Sequence, residues 1–92
     1  MRYEWDEAKR EANLVKHGLD FVQAVWVHEA DFKLTIPSPR GDEMRYVDVA
    51  EVQGQLLVLS LVYTLRDEAV RVISLRRANA RERRMYAEIK SR

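Results

Sequence analysis

The sequence contains no cysteine. A disulfide framework and a thiolate zinc site are therefore excluded, and intracellular residence is compatible with that absence. Glycine is scarce, with three residues, each placed at a turn or a helix end, so no glycine-rich phosphate loop exists. The longest apolar run, Leu56 to Tyr63, is too short to cross a bilayer as a helix. Met1-Arg2-Tyr3-Glu4-Trp5-Asp6 leads into charged sequence and not into an apolar signal segment, so cytoplasmic residence without membrane attachment is expected. There are two histidines, His17 and His28, eleven positions apart, with no Asp or Glu at ligand-like spacing beside both. No metal centre and no cofactor are expected. Ser60 and Ser74 lie within apolar runs without a glycine-flanked elbow, which assigns them to sheet packing and not to nucleophilic catalysis.

What is present in quantity is charge, unevenly distributed. The 92 residues make one domain, 1–92, which should bury somewhat over ~60% of its unfolded surface. Formal net charge is +1, yet Arg66 to Arg92 holds nine Lys/Arg against four Asp/Glu, whereas Met1 to Leu65 holds seven against eleven. A basic C-terminal stretch can attract nucleic acid or an acidic protein segment. A solvated charged face is the plainer reading of the same feature.

The order of elements follows from caps and periodicity. Asp6 can cap a first helix that stops at Gly18, with Ala8, Ala12 and Val15 as its apolar stripe. Asp20 with Gln23 forms a capping box for a second helix, in which Phe21, Ala24, Val25 and His28 share a face. Extended segments follow at Phe32 to Ile36, Met44 to Val52, Leu56 to Tyr63 and Val70 to Arg76. They are separated by a loop over Pro37 to Asp42, a tight turn at Gln53-Gly54 and a connection over Thr64 to Glu68. Asn79 with Glu82 opens a C-terminal helix whose stripe is Met85, Tyr86 and Ile89. The expected fold is α+β: two N-terminal helices covering a four-stranded antiparallel meander, then a C-terminal helix.

Arginine and a few proton-carrying side chains are the candidates for chemistry. The guanidinium fork stays charged and grips phosphate bidentately. On a regular strand, Arg71 shares a face with Ile73 and Leu75, while Arg76 lies opposite with Val72 and Ser74. The two cannot serve one site from a flat strand unless the chain curls or a bulge changes the parity. On the last helix, Arg83 lies beside Tyr86 and Ala87, and Arg81 and Arg84 point further outward. His17, between Lys16 and Gly18, can either cap the last carbonyls of its helix or transfer protons. His28 lies on an apolar stripe and reads as structural.

Trp5-Asp6, Lys9, Asn13, Lys16-His17-Gly18, Phe21, Ala24, Glu43 with Arg45, Arg71-Val72-Ile73-Ser74-Leu75-Arg76-Arg77-Ala78, Glu82-Arg83 and Tyr86 form a set running through nearly the whole chain. In this set the sequence resembles the BrnT toxins of type II toxin-antitoxin systems. The resemblance implies a RelE-like fold and a ribonuclease that blocks translation. It also implies neutralisation by a BrnA antitoxin with a ribbon-helix-helix domain, through which DNA would be contacted only indirectly. The chain departs from the family pattern at His28, where a bulky apolar residue such as Phe is usual, and at Leu75, where Ala is usual. On the matching positions, the resemblance implies Arg71, Arg76 and Arg83 as stabilisers of a phosphorane, Lys16 or His17 as the proton-transfer group, and Tyr86 as a positioning residue. Face parity makes Arg76 with Arg83 the leading pair. A non-catalytic module that binds an antitoxin or an acidic partner through its basic C-terminal helix is the alternative from a different class.

Overall fold

The computed structural model describes residues 1–52 and 57–92. The expected turn at Gln53-Gly54 lies outside them. Chain order is β1 (Arg2–Glu4), α1 (Glu7–His17), a 3₁₀ turn (Phe21–Gln23) running into α2 (Ala24–His28), β2 (Leu34–Pro37), β3 (Arg45–Val52), β4 (Leu57–Arg66), β5 (Ala69–Arg77) and α3 (Ala80–Lys90). The expected caps are formed: Asp6 accepts from the Ala8 and Lys9 amides at the start of α1, the Asp20–Gln23 box opens the 3₁₀ turn that runs into α2, and the Asn79–Glu82 box opens α3. Gly18 ends α1 at φ 70°, the left-handed conformation that glycine adopts without a Cβ clash.

The sheet has five strands in the order β1-β5-β4-β3-β2, and β1 runs parallel to β5, so it is mixed and not the expected four-stranded antiparallel meander. The added strand is three residues long and buries essentially one ring, that of Tyr3, so it carries no readable alternation. Strand limits shift too. Phe32 precedes β2, and β2 ends on Pro37, which an edge strand tolerates because its missing N–H faces no neighbour. Thr64 to Arg66 continue β4, leaving only Asp67 and Glu68 as the turn, at φ 49° and 63°.

One sheet face carries Ala50, Leu59, Leu61, Val70, Val72 and Leu75 and is closed by Phe21, Ala24 and Val27 from the second helical segment. On that segment Val27, not Val25, is the fully buried valine. The other face carries Val47, Val49 and Val62, and α3 covers part of it through Ala78 and Tyr86. Helix α1 docks differently from expectation. Ala8 and Ala12 are exposed and Val15 is 89% exposed, so the predicted stripe faces solvent. The buried residue is Asn13, whose amide donates to the Leu19 and Leu75 carbonyls at 3.0 and 2.8 Å while its oxygen accepts from the Leu75 amide at 3.1 Å. Past the end of β1, the edge of β5 would present bare backbone; Asn13 supplies the donor and acceptor that a continuing strand would have supplied. Among the described residues no helix is long and apolar enough to cross a membrane.

Candidate functional site

The β4–β5 register places Leu61 opposite Leu75 and Val62 opposite Ser74, but Tyr63 opposite Val72. Ile73 is the extra residue of a β-bulge. Inserting one residue inverts the parity of everything beyond it, so Arg71, Ser74 and Arg76 share a face, opposite Thr64, Val62 and Ser60 respectively. Val72 and Leu75 turn together into the core. The opposite-face placement expected of a flat strand is thus corrected by packing: without the bulge either Val72 or Leu75 would leave the core. Along the strand the two arginines remain roughly 13 Å apart, at ~3.3 Å per residue with one residue absorbed by the bulge.

Arg76 is committed within the protein. Its guanidinium donates to both Glu82 oxygens at 2.7 and 2.9 Å. Glu82 also accepts from the Ser60 hydroxyl at 2.8 Å and the Asn79 amide at 2.9 Å. Burial would raise the Glu82 carboxyl, but hydrogen bonds from Arg76, Asn79 and Ser60 outweigh it and hold the group down to about 2. Arg71 is freer: its contact is with Glu4 at 3.6 Å, and 30% of its side chain is exposed. Arg83 donates to the Ala78 carbonyl at 2.6 Å. The Tyr86 hydroxyl accepts from the Glu51 amide at 3.3 Å, and its ring is buried against Phe32. Arg83 and Tyr86, with Glu51 and Lys90, line a pocket of about 460 Å³ on the flank of α3.

At the end of α1, Lys16 is exposed and His17 half-buried. Burial first, then the charges of Lys16 and Arg76, lower the His17 imidazole below 6.5. Among the described residues it makes no side-chain hydrogen bond. The six candidate residues therefore fall into three neighbourhoods: Lys16 and His17 near Arg76, Arg83 with Tyr86, and Arg71 beside Glu4.

Sequence reasoning passed over one buried network. Asp48 is fully buried on the helix-covered face and accepts from Lys33 Nζ and Thr35 Oγ1, each at 2.7 Å, and from the Tyr63 hydroxyl at 3.0 Å. His28 Nδ1 lies 3.0 Å from it, and the imidazole packs edge-on against Tyr3 and Tyr63. Burial and then Asp48 raise the Tyr63 phenol, which keeps it a donor. The available signal was an aspartate between two valines in a strand. Among the described residues no three His, Asp or Glu side chains gather as a metal-binding group.

Comparison with known proteins gives one family match: residues 5–82 fit the family described as the ribonuclease toxin, BrnT, of type II toxin-antitoxin systems. Arg83 and Tyr86 lie just beyond the matched span. No curated protein matches the chain.

Proposed function

Because the chain belongs to the BrnT family of ribonuclease toxins of type II toxin-antitoxin systems, we propose that it is an endoribonuclease that cuts RNA without a metal ion, blocks translation, and is neutralised by a BrnA-like ribbon-helix-helix antitoxin. The observation that carries this reading is the bulge at Ile73, which turns Arg71 and Arg76 to one sheet face. The ribose 2′-hydroxyl attacks the adjacent phosphorus, the bond to the 5′-oxygen breaks, and the products are a 2′,3′-cyclic phosphate and a free 5′-hydroxyl. His17 is suited to accept the 2′-hydroxyl proton, since its lowered pKa leaves it neutral near pH 7. Lys16, the preceding residue of α1, would return a proton to the departing 5′-oxygen.

Charge on the phosphorane is met by Arg71, the least internally committed of the three arginines, whose guanidinium must leave Glu4 and swing along the sheet face toward His17, across much of the roughly 13 Å that separates it from Arg76 along β5. Arg76 acts through His17, as a fixed positive charge locked by Glu82. Arg83 and Tyr86 line the flank along which RNA would leave the site. The leading pair for mutation accordingly shifts from Arg76 with Arg83 to Arg71 with His17.

Purified protein incubated with RNA in EDTA should yield cyclic-phosphate ends. RNA left intact in EDTA but cut on adding a divalent metal would refute the metal-free mechanism. Inducing the chain alone should arrest growth, and Arg71→Ala should lower cleavage by roughly 10²-fold or more. The interaction-module reading draws on the exposed Arg77, Arg81 and Arg84. It would be favoured by a wild-type chain that binds its antitoxin tightly yet neither cuts RNA nor slows growth.

A further inference from the structure

At the end of the sheet next to Arg71, the approach to β3 and the β4–β5 hairpin enclose an open pocket of about 460 Å³. That volume lies within the range of about 300–1,000 Å³ typical of small-ligand sites. Tyr46, Met44 and Leu65 supply apolar wall, and the last two are 46% and 51% exposed. Asp42, Glu43 and Arg66 supply the charge, two carboxylates against one guanidinium. Thr64 lines the pocket from the other face of the sheet, where it is the direct cross-strand partner of Arg71, and donates to the Met44 carbonyl at 2.8 Å. The pocket thus wraps the end of β4, and its Thr64 rim is one strand spacing, ~4.8 Å, from the strand that carries the arginine assigned to the phosphate.

Arg45 Nε donates to Glu43 Oε1 at 2.7 Å, which fixes the carboxylate at the pocket. That hydrogen bond outweighs burial and, with the charges of Arg45, Arg66 and Lys9, lowers the Glu43 carboxyl and keeps it an acceptor. An ionised carboxylate has about four lone-pair sites, so the bond to Arg45 leaves capacity on both oxygens. Among the bases, guanine alone presents two adjacent donors, N1–H and N2–H, on its pairing edge, with the O6 acceptor beside them. Cytosine and adenine place a ring-nitrogen acceptor next to their single amino group, and uracil flanks its one N–H with two carbonyls; each would set a lone pair against the carboxylate.

We propose that this pocket is a guanine subsite, in which Glu43 accepts from N1–H and N2–H, Arg66 donates to O6, and the base plane lies against Met44, Tyr46 and Leu65. The proposal rests on the ribonuclease reading for its purpose: a base held here would set a neighbouring phosphate at Arg71, so cutting would occur beside guanosine. Single-stranded RNA is read this way, by packing a splayed base and hydrogen-bonding its pairing edge.

The test has a catalytic arm and a binding arm. Mapping cut sites on an RNA of mixed sequence should show a preference of at least about tenfold for sites flanked by guanosine. Glu43→Gln should level that preference, because its amide turns a donor toward the base. Replacing the guanosine by inosine, which lacks the 2-amino group, should slow the wild type and have little further effect in Glu43→Gln. Cutting without base preference, or a preference that Glu43→Gln retains, overturns the subsite and leaves the ribonuclease reading standing. In the second arm, guanosine and uridine monophosphates are titrated into the full chain and the amides of Met44, Thr64 and Leu65 followed by NMR. Selective shifts with guanosine monophosphate from a protein that cuts no RNA would keep the subsite and overturn the ribonuclease reading; equal or absent shifts would overturn the subsite.

Discussion

Asn13 pairs both the N–H and the C=O that Leu75 turns toward the sheet edge. Asn13→Ala would leave a buried N–H and C=O unpaired, at about 3 kcal/mol, and should lower the melting temperature by roughly 10–20 °C. Glu82 sets an acid limit on stability. Its carboxyl is held at about 2 against an ordinary 4.5, so the stabilisation is complete above about pH 4.5 and is lost as pH falls toward 2. A chemical-denaturation series across that window should show up to roughly 3 kcal/mol of pH dependence, which Glu82→Gln removes. For activity the sign is opposite in origin. On the proposed mechanism neutral His17 is the working form, so cleavage should rise with pH along a limb centred below 6.5, and Arg76→Ala, by deleting a positive neighbour, should move that limb upward. Caps were legible residue by residue, because Asp6, Gly18 and the two capping boxes act through groups within three or four positions. Asn13 and Asp48 were not: their partners come from strands far along the chain, and a lone polar residue does not name its partner.

Helix existence, the three long strands and their antiparallel pairing could all be read from periodicity, whereas β1 and the bulge could not. Three residues carry no period, and β1 exists because β5 offers it an edge and the Tyr3 ring packs against the core, while its hydroxyl donates at the surface to Glu29 at 2.7 Å. The bulge is a decision between strands: Val72 and Leu75 both face inward only if Ile73 is skipped, and that choice also turns Arg71 and Arg76 to one face. The β4–β5 turn is an element that sequence can improve. Asp67 and Glu68 both hold left-handed backbone, which costs a residue with a Cβ about 1 kcal/mol or more. Asp67→Asn with Glu68→Gly, the pair such turns prefer, should raise the melting temperature by about 5 °C without altering cleavage.

For the molecule as a whole, the near-zero net charge conceals how the fold distributes it. Lys9, Lys16 and His17 come from α1 in the acidic half of the sequence, and folding sets them on the side of the sheet where Arg45, Arg66, Arg71 and Arg76 gather. Summing charge along the chain could not show this, since it depends on which helix face meets β5. RNA affinity should therefore fall with salt despite the +1 balance, by about 0.7 log unit per log unit of salt for each phosphate contacted, and Arg71→Ala should reduce the slope by about one such step. The parallel pairing of β1 with β5 has a temporal meaning as well. Arg2 leaves the ribosome early and waits for Ala69, its partner across most of the chain. Until Ala69–Arg77 has emerged, α1 has no strand edge to dock on and His17 no Arg76 beside it, so on the proposed mechanism the nascent chain should not cut RNA. Ribosome-bound chains arrested before Ala69 should spare RNA that the released protein cuts, which gives the cell the interval of its synthesis in which to supply an antidote.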